Sequence, residues 1–135
     1  MDHPTRAEMQ ACIDDCLHCH EQCLRDAMNY CLERGGEHMG ADHFRLMMNC
    51  TEMCRTAAHF LLSSSSLDDR ACATCADVCD ACARCCEALD GMTQCAAACR
   101  RAGASCRQVS AGAGGGQGLQ GSGRLAGGPP VPTRT

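Results

Sequence analysis

From Ala71 to Glu87 the chain reads ACATCADVCDACARCCE, and Cys72, Cys75, Cys79, Cys82 and Cys86 follow one another at steps of 3, 4, 3 and 4. That is the seam spacing of an α-helix, in which residues 3 and 4 apart share one face. Charged residues such as Asp77, Asp80 and Arg84 fall between the seam positions. The pattern predicts an amphipathic helix whose inward stripe, normally filled by Leu, is filled by thiols. Asp90-Gly91 then signals a turn, so this helix ends by about Leu89.

The same pattern recurs on either side. A first helix is expected from Pro4, which suits a first helical position, to Gly35-Gly36, which suits a left-handed stop. Within it Cys12, Cys16, Cys19 and Cys23 step by 4, 3 and 4, and Cys31 lies eight residues further on. A second stripe on this helix, Ile13, Leu17, Leu24, Met28 and Leu32, is offset from the thiols and predicts packing against a neighbouring helix or a second subunit. After a loop from Gly35 to Ala41, Asp42 is the expected N-cap of a second helix reaching about Leu62, with His43, Met47, Cys50, Cys54, Ala57 and Leu61 inward. Ser66 and Asp69 approximate a capping box for the third helix. A fourth, from Met92 to about Val109, turns Met92, Cys95, Cys99, Ala102 and Cys106 to one face.

Four amphipathic helices joined by short loops predict an all-α fold, an antiparallel up-down-up-down four-helix bundle with a cysteine-lined core. The expected domain covers residues 1–109. Residues 110–135, SAGAGGGQGLQGSGRLAGGPPVPTRT, have too little to bury and are expected to form a disordered tail. Antiparallel order gathers Cys31, Met39, His43, Met47, Cys85, Cys86 and Met92 at one end, where the thiol column would open to solvent.

Composition sharpens this picture. Leu, Ile, Val and Phe together number 16 of 135 residues, below the usual level for a globular core, while cysteine alone also numbers 16. Cysteine must therefore supply much of the buried surface. The formal charge of −4 argues against nucleic acid, which selects basic patches. The N-terminus shows no basic start followed by an apolar run, and no stretch approaches the ~20 apolar residues of a membrane span. The expected compartment is the cytoplasm, where thiols stay reduced, and sixteen reduced thiols there point to metal more than to cross-linking.

Buried cysteine as a small hydrophobe explains any one of these residues but not runs of them on three helices, since Leu would contribute more at the same sites. A disulfide-linked helical module is suggested by the nine-residue gaps Cys72/Cys82, Cys75/Cys85 and Cys85/Cys95, yet two of those pairs lie on one helix. Among metals, four all-thiolate zinc sites would bury a charge of about −8 in a core without inward Arg. Cu(I) favours thiolate and thioether, and bridging thiolates bring the array close to neutral. Iron–sulfur clusters need only four cysteines each and leave a continuous ladder unexplained.

On these residues the chain resembles the copper storage proteins, specifically the cytosolic members without an export signal. The matching motifs are Cys12-x3-Cys16, Cys19-x3-Cys23, Cys50-x3-Cys54, Cys75-x3-Cys79, Cys82-x3-Cys86 and Cys95-x3-Cys99, all inward-facing on four successive helices. The resemblance covers about residues 4 to 109. It implies storage of many Cu(I) ions per chain, a homotetramer and exchange with a copper chaperone. Metal ligands would be Cys12, Cys16, Cys19, Cys23, Cys31, Cys50, Cys54, Cys72, Cys75, Cys79, Cys82, Cys85, Cys86, Cys95, Cys99 and Cys106. The family admits ions at one end of the bundle lined by His and Met, a role that falls here on Met39, His43, Met47 and Met92.

The remaining histidines read more plainly. His18, His20 and His59 lie off the seam and are expected to be solvated or at a subunit contact, and His3 and His38 lie at a terminus and in a loop. Met28, Met48 and Met53 read as packing or interface residues, while Met9 continues the first stripe below Cys12 as ligand or plug. No thiol is paired with a base and an orienting group, so no enzyme is expected. The alternatives left standing are a zinc or general thiolate metal buffer and a disulfide-linked structural module.

Overall fold

A computed structural model of the chain describes residues 3–114, with side chains to residue 111. Four long helices account for most of it: α1 (Arg6–Arg25), α2 (Ala41–Leu62), α3 (Asp68–Glu87) and α4 (Thr93–Gly114). Helix α1 runs on without a break through a π-helical turn, Asp26–Cys31, and a last α-turn, Leu32–Arg34. No described helix is long and apolar enough to cross a membrane.

The starts of three helices differ from expectation in instructive ways. Thr5 caps α1, which begins at Arg6 and not at Pro4. Its Oγ1 accepts from the Glu8 N–H at 3.0 Å, and Glu8 Oε1 accepts from the Thr5 N–H at 2.9 Å, a reciprocal capping box. Helix α2 is capped by Gly40 in extended conformation, which leaves Asp42 inside the first turn, where its charge suits the helix dipole. The box expected from Ser66 and Asp69 does not form. Leu67 occupies the cap position, and the Leu67 N–H goes to Ser65 Oγ at 3.0 Å, because residues 63–67 coil into turns with Ser64 at φ 55°. The stop at Gly35-Gly36 holds, with φ of 65° and 55°, and a 3-10 turn, Gly36–Met39, leads into α2. Helix α4 begins one residue after Met92 and runs past Val109 to Gly114. The rest of the expected tail, from residue 115, lies outside the described residues.

Each helix packs against its neighbours in sequence, and α1 closes the ring against α4. The ring encloses a core of cysteine and alanine with Ile13, Met47, Leu61, Met92 and Val109. Small side chains let the backbones approach closely, most of all between α3 and α4. At Gly103, buried on α4, a Cβ would lie 3.0 Å from Asp80 Oδ1 and 3.6 Å from Cys79 Cβ. The outer edge of this seam carries a two-pronged ion pair, Arg100 Nε to Glu87 Oε2 at 3.0 Å and Nη2 to Oε1 at 2.9 Å, with Asp80 and Arg107 beside it. Asp80 is half-buried and the other three are exposed, so solvent screening leaves the seam little net effect on stability.

A clasp ties the two loops at one end of the bundle. The carbonyl oxygen of Asp90 accepts from Tyr30 Oη at 3.3 Å and faces His38 Nε2 at 2.8 Å. Arg34 Nη1 donates to Tyr30 Oη at 3.0 Å, and the Tyr30 and His38 rings meet edge to face at 5.5 Å. Gly91 sits at φ 76° directly against this tyrosine, where a Cβ would overlap the Tyr30 hydroxyl.

Candidate metal centre

The alternation of 3 and 4 residue steps turns every seam cysteine to the bundle axis, and fifteen of the sixteen thiols are buried, Cys85 being half-buried. Their sulfurs form one connected column. At the closed end Cys12 and Cys16 lie 3.6 and 3.4 Å from Cys106, and Cys72 joins Cys12 and Cys106 in a compact trio. Leu61, Ile13 and Val109 are buried in the same end of the core. Going inward, Cys75 lies 3.7 Å from Cys54, and Cys54 lies 3.5 Å from Cys79.

At mid-bundle Cys50 stands 3.7 Å from Cys19 and 3.8 Å from both Cys79 and Cys99. Two four-thiol groups meet here, Cys19/Cys50/Cys54/Cys79 and Cys19/Cys23/Cys50/Cys99, and they share Cys19 and Cys50. Cys23 continues the column to Cys95 at 3.2 Å, and Cys95 to Cys86 at 3.7 Å.

Toward the opposite end the ligand type broadens. Met47, fully buried, receives Cys82, Cys86 and Cys95 at 3.7, 3.5 and 3.8 Å from its Sδ. His43 presents both ring nitrogens to sulfur, Nδ1 to Cys85 at 3.0 Å and Nε2 to Cys31 at 3.6 Å. Cys31 in turn lies 3.9 Å from Met92 Sδ. His43, Cys85 and Cys86 bring their donor atoms together within 4.8 Å. Met39 packs half-buried against the same core, and Met9 does so at the closed end.

Other sequence expectations resolve as follows. His20 is tied to the Thr51 carbonyl through Nδ1 at 2.8 Å, His18 and His59 are exposed, and so is His3. Met28 is exposed, whereas Met48 and Met53 pack against the core. His38, read from sequence as a loop residue, is buried and fastened by the clasp. A long-range partner 52 residues away decides that, and a local pattern holds no trace of it.

Electrostatically the column is a low-dielectric site without internal cations among the described residues. Burial pushes the Cys31 thiol up to about 11 and holds the His43 imidazole below its ordinary value, which favours its neutral form. Cys85 is pushed up to about 12: its contact with Cys82 lowers it, and the Cys86 contact together with burial outweighs that. Within the column, contacts with Cys23 hold Cys19 and Cys95 low, while contacts with Cys19 and Cys12 push Cys99 and Cys106 up. Neighbouring thiols thus act as alternate donors and acceptors of shared protons. A soft cation that binds here must displace them, so uptake releases protons.

Residues 5–111 match the profile of a family described as Csp, copper storage protein. A relative from Bacillus subtilis (strain 168), described as uncharacterized cysteine-rich protein YhjQ, is 32% identical over 71 residues, which cover 53% of this chain and 65% of that one. Of solved structures, the Nmul_A1745 protein from Nitrosospira multiformis is 53% identical with a TM-score of 0.78, covering 79% of this chain and 98% of its own. A Cu(I)-bound copper storage protein, BsCsp3, is 30% identical with a TM-score of 0.71, covering 76% of this chain and 98% of its own.

Proposed function

The chain belongs to the copper storage protein family, and from that premise we infer that its sulfur column takes up and stores many Cu(I) ions, without catalytic turnover. The observation that carries this reading is the run of sulfur neighbours from Cys12 to Cys95: contacts of 3.4–3.6 Å join Cys12 and Cys16 to Cys106, contacts of 3.2–3.8 Å link Cys75 through to Cys95, and the Cys16/Cys75/Cys106 trio, with sulfurs within 4.8 Å of one another, joins the two stretches. Metal–sulfur bonds of ~2.3 Å, the length of zinc thiolates, bridge any pair up to about 4.6 Å apart. Each thiol therefore has several partners with which to share an ion.

The shared sulfurs decide between metals. Zinc prefers separate tetrahedral sites, and the two four-thiol groups cannot both be independent sites when Cys19 and Cys50 belong to each. Soft Cu(I) tolerates bridging thiolates, and bridging keeps the buried array close to neutral. The sixteen thiols, with Met39, His43, Met47 and Met92, are the ligand set of this reading. Cu(I) arrives at the end where Cys85 is partly exposed, is met by His43 and Cys86, and passes inward by exchange from one sulfur to the next. A cytoplasmic homotetramer served by a copper chaperone is the accompanying proposal, supported by the stripe Leu17, Leu24, Met28 and Leu32, which stays exposed on α1 and its extension.

Anaerobic titration with Cu(I) against a chromogenic chelator tests the function. Tight uptake of more than about ten ions per chain is expected from bridging by soft thiolates. Saturation at four or fewer refutes storage.

A further inference from the structure

Cys31 poses a problem of phase. An α-helix turns about 100° per residue, so the eight residues after Cys23 bring position 31 about 80° beyond the thiol stripe. Yet Cys31 is fully buried, beside His43 and Met92. The difference is made by the π turn, Asp26–Cys31. Its i→i+5 bonding fits one extra residue into the turn, and discounting that residue leaves seven α-steps, about 700°, within about 20° of the stripe. Ala27, also fully buried, marks the inward side on the way.

A second feature sits inside the turn. Asn29 Nδ2 donates to the carbonyl of Arg25, four residues back, at 2.9 Å. That carbonyl is the acceptor the Asn29 backbone N–H would take in an α-helix. The side-chain amide thus reaches, from within the π turn, the carbonyl that an α-helix would give to the Asn29 backbone N–H.

We propose that the π turn is a one-residue phase correction, held by Asn29, that aims Cys31 into the His43 site at the mouth. Asn29 is a positioning residue. The proposal rests on the mouth being the place of copper uptake only for its purpose; the aiming itself is a property of the metal-free chain.

The test is residue-resolved alkylation of the apo-protein under reducing conditions, read by peptide mass spectrometry, on four chains. In the unaltered chain Cys31 is protected. Asn29→Ala, which supplies a better α-former and no donor, is expected to raise Cys31 labelling at least threefold while Cys16 and Cys50 stay protected. Asn29→Ser, whose hydroxyl bonds the same carbonyl from mid-helix, is expected to restore protection. Deletion of Asn29 removes the extra residue, and the expected result is a continuous α-helix with Cys31 still protected and helical content unchanged. In an ordinary α-helix the same deletion would rotate every later residue by about 100°. The proposal is overturned if the deletion exposes Cys31 or unfolds the chain. It is equally overturned if Asn29→Ala leaves Cys31 as protected as before or loosens all thiols alike. Failure of copper storage would appear in the titration and leave these labelling results untouched.

Discussion

Cys50 is the sulfur on which the column turns, and its replacement by serine separates a shared ligand array from a set of independent sites. The side chain is fully buried and contacts Cys19, Cys79 and Cys99, which stand on three different helices. Serine keeps the shape and shortens the reach, leaving a hydroxyl among sulfurs that accept hydrogen bonds poorly. A buried hydroxyl without a good partner costs about 1–3 kcal/mol. For a domain of this size that is a drop of roughly 4–12 °C in the melting temperature of the apo-protein. The larger effect falls on metal. Because Cys50 belongs to both four-thiol groups, its loss removes a bridge from each, and capacity should fall by two or more Cu(I) per chain. Cys31→Ser, at the margin of the column, should lose about one ion, since it removes one end ligand of a bridged array. Apo stability is read by circular dichroism melting and capacity by chelator competition. Equal losses for the two variants would refute the shared-ligand argument, and an undiminished capacity in Cys50→Ser would refute the assignment of Cys50 to the array.

The apo-protein should be fully helical before any metal is added, because its core is already closed by Cys, Ala and Met. A coil that folds only with Cu(I) in far-ultraviolet circular dichroism would contradict this. Gly91→Ala forces a side chain into the Tyr30 hydroxyl at φ 76°, whereas Gly36, at φ 55°, has no atom within 4 Å of an added Cβ. Gly91→Ala should therefore destabilise the protein clearly more than Gly36→Ala, by about 2 kcal/mol against about 1, seen as the larger drop in melting temperature, and equal effects would remove the clasp argument. Alkylation of apo-protein should modify Cys85 ahead of every other thiol, since it alone of the sixteen is not fully enclosed. If a thiol of the Cys12/Cys72/Cys106 trio reacts first, the column opens at the wrong end.

The four-helix bundle and the direction of its thiols were legible because a 3 and 4 residue spacing has one physical reading, and the buried cysteines bear it out. Helix starts were less so. Thr5 and Glu8 carry a T-x-x-E signature that forms a capping box, while Ser66 and Asp69 match the pattern without forming one. A capping motif is a claim about two backbone N–H groups, and only the path of the preceding loop decides whether they face the side chain. Cys31 enters the ligand set only through the family resemblance, and a spacing of eight does not account for its burial. That depends on a π turn, which hydrophobic periodicity at 3.6 residues cannot register. The clasp of Tyr30, His38 and Asp90 is invisible for a different reason: Asp90 lies 60 and 52 residues from its two partners.

The clasp matters because a cysteine core is a weak one. Cysteine and alanine bury less apolar area than leucine, so each seam position contributes less to folding than it would in an ordinary bundle. Small side chains also draw the backbones together, as at Gly103, and this proximity is what brings sulfurs on different helices within 4 Å of one another. Closeness of ligands and thinness of the core are thus one property. Stability is then helped by elements that add no bulk to the axis: the Thr5 cap and the clasp over Asp90, with the screened Glu87–Arg100 pair adding little. Of these, only the clasp lies at the mouth, where it fastens the segment from Tyr30 to His38 to the turn before Met92. Cys31, His43 and Met92 all follow from those segments. Because the loops are tied by backbone carbonyl and aromatic contacts, Cys31, His43 and Met92 keep their inward positions without depending on metal, and the proposed entry of Cu(I) at this end has in the partly exposed Cys85, 3.0 Å from His43, the sulfur–imidazole pair nearest solvent.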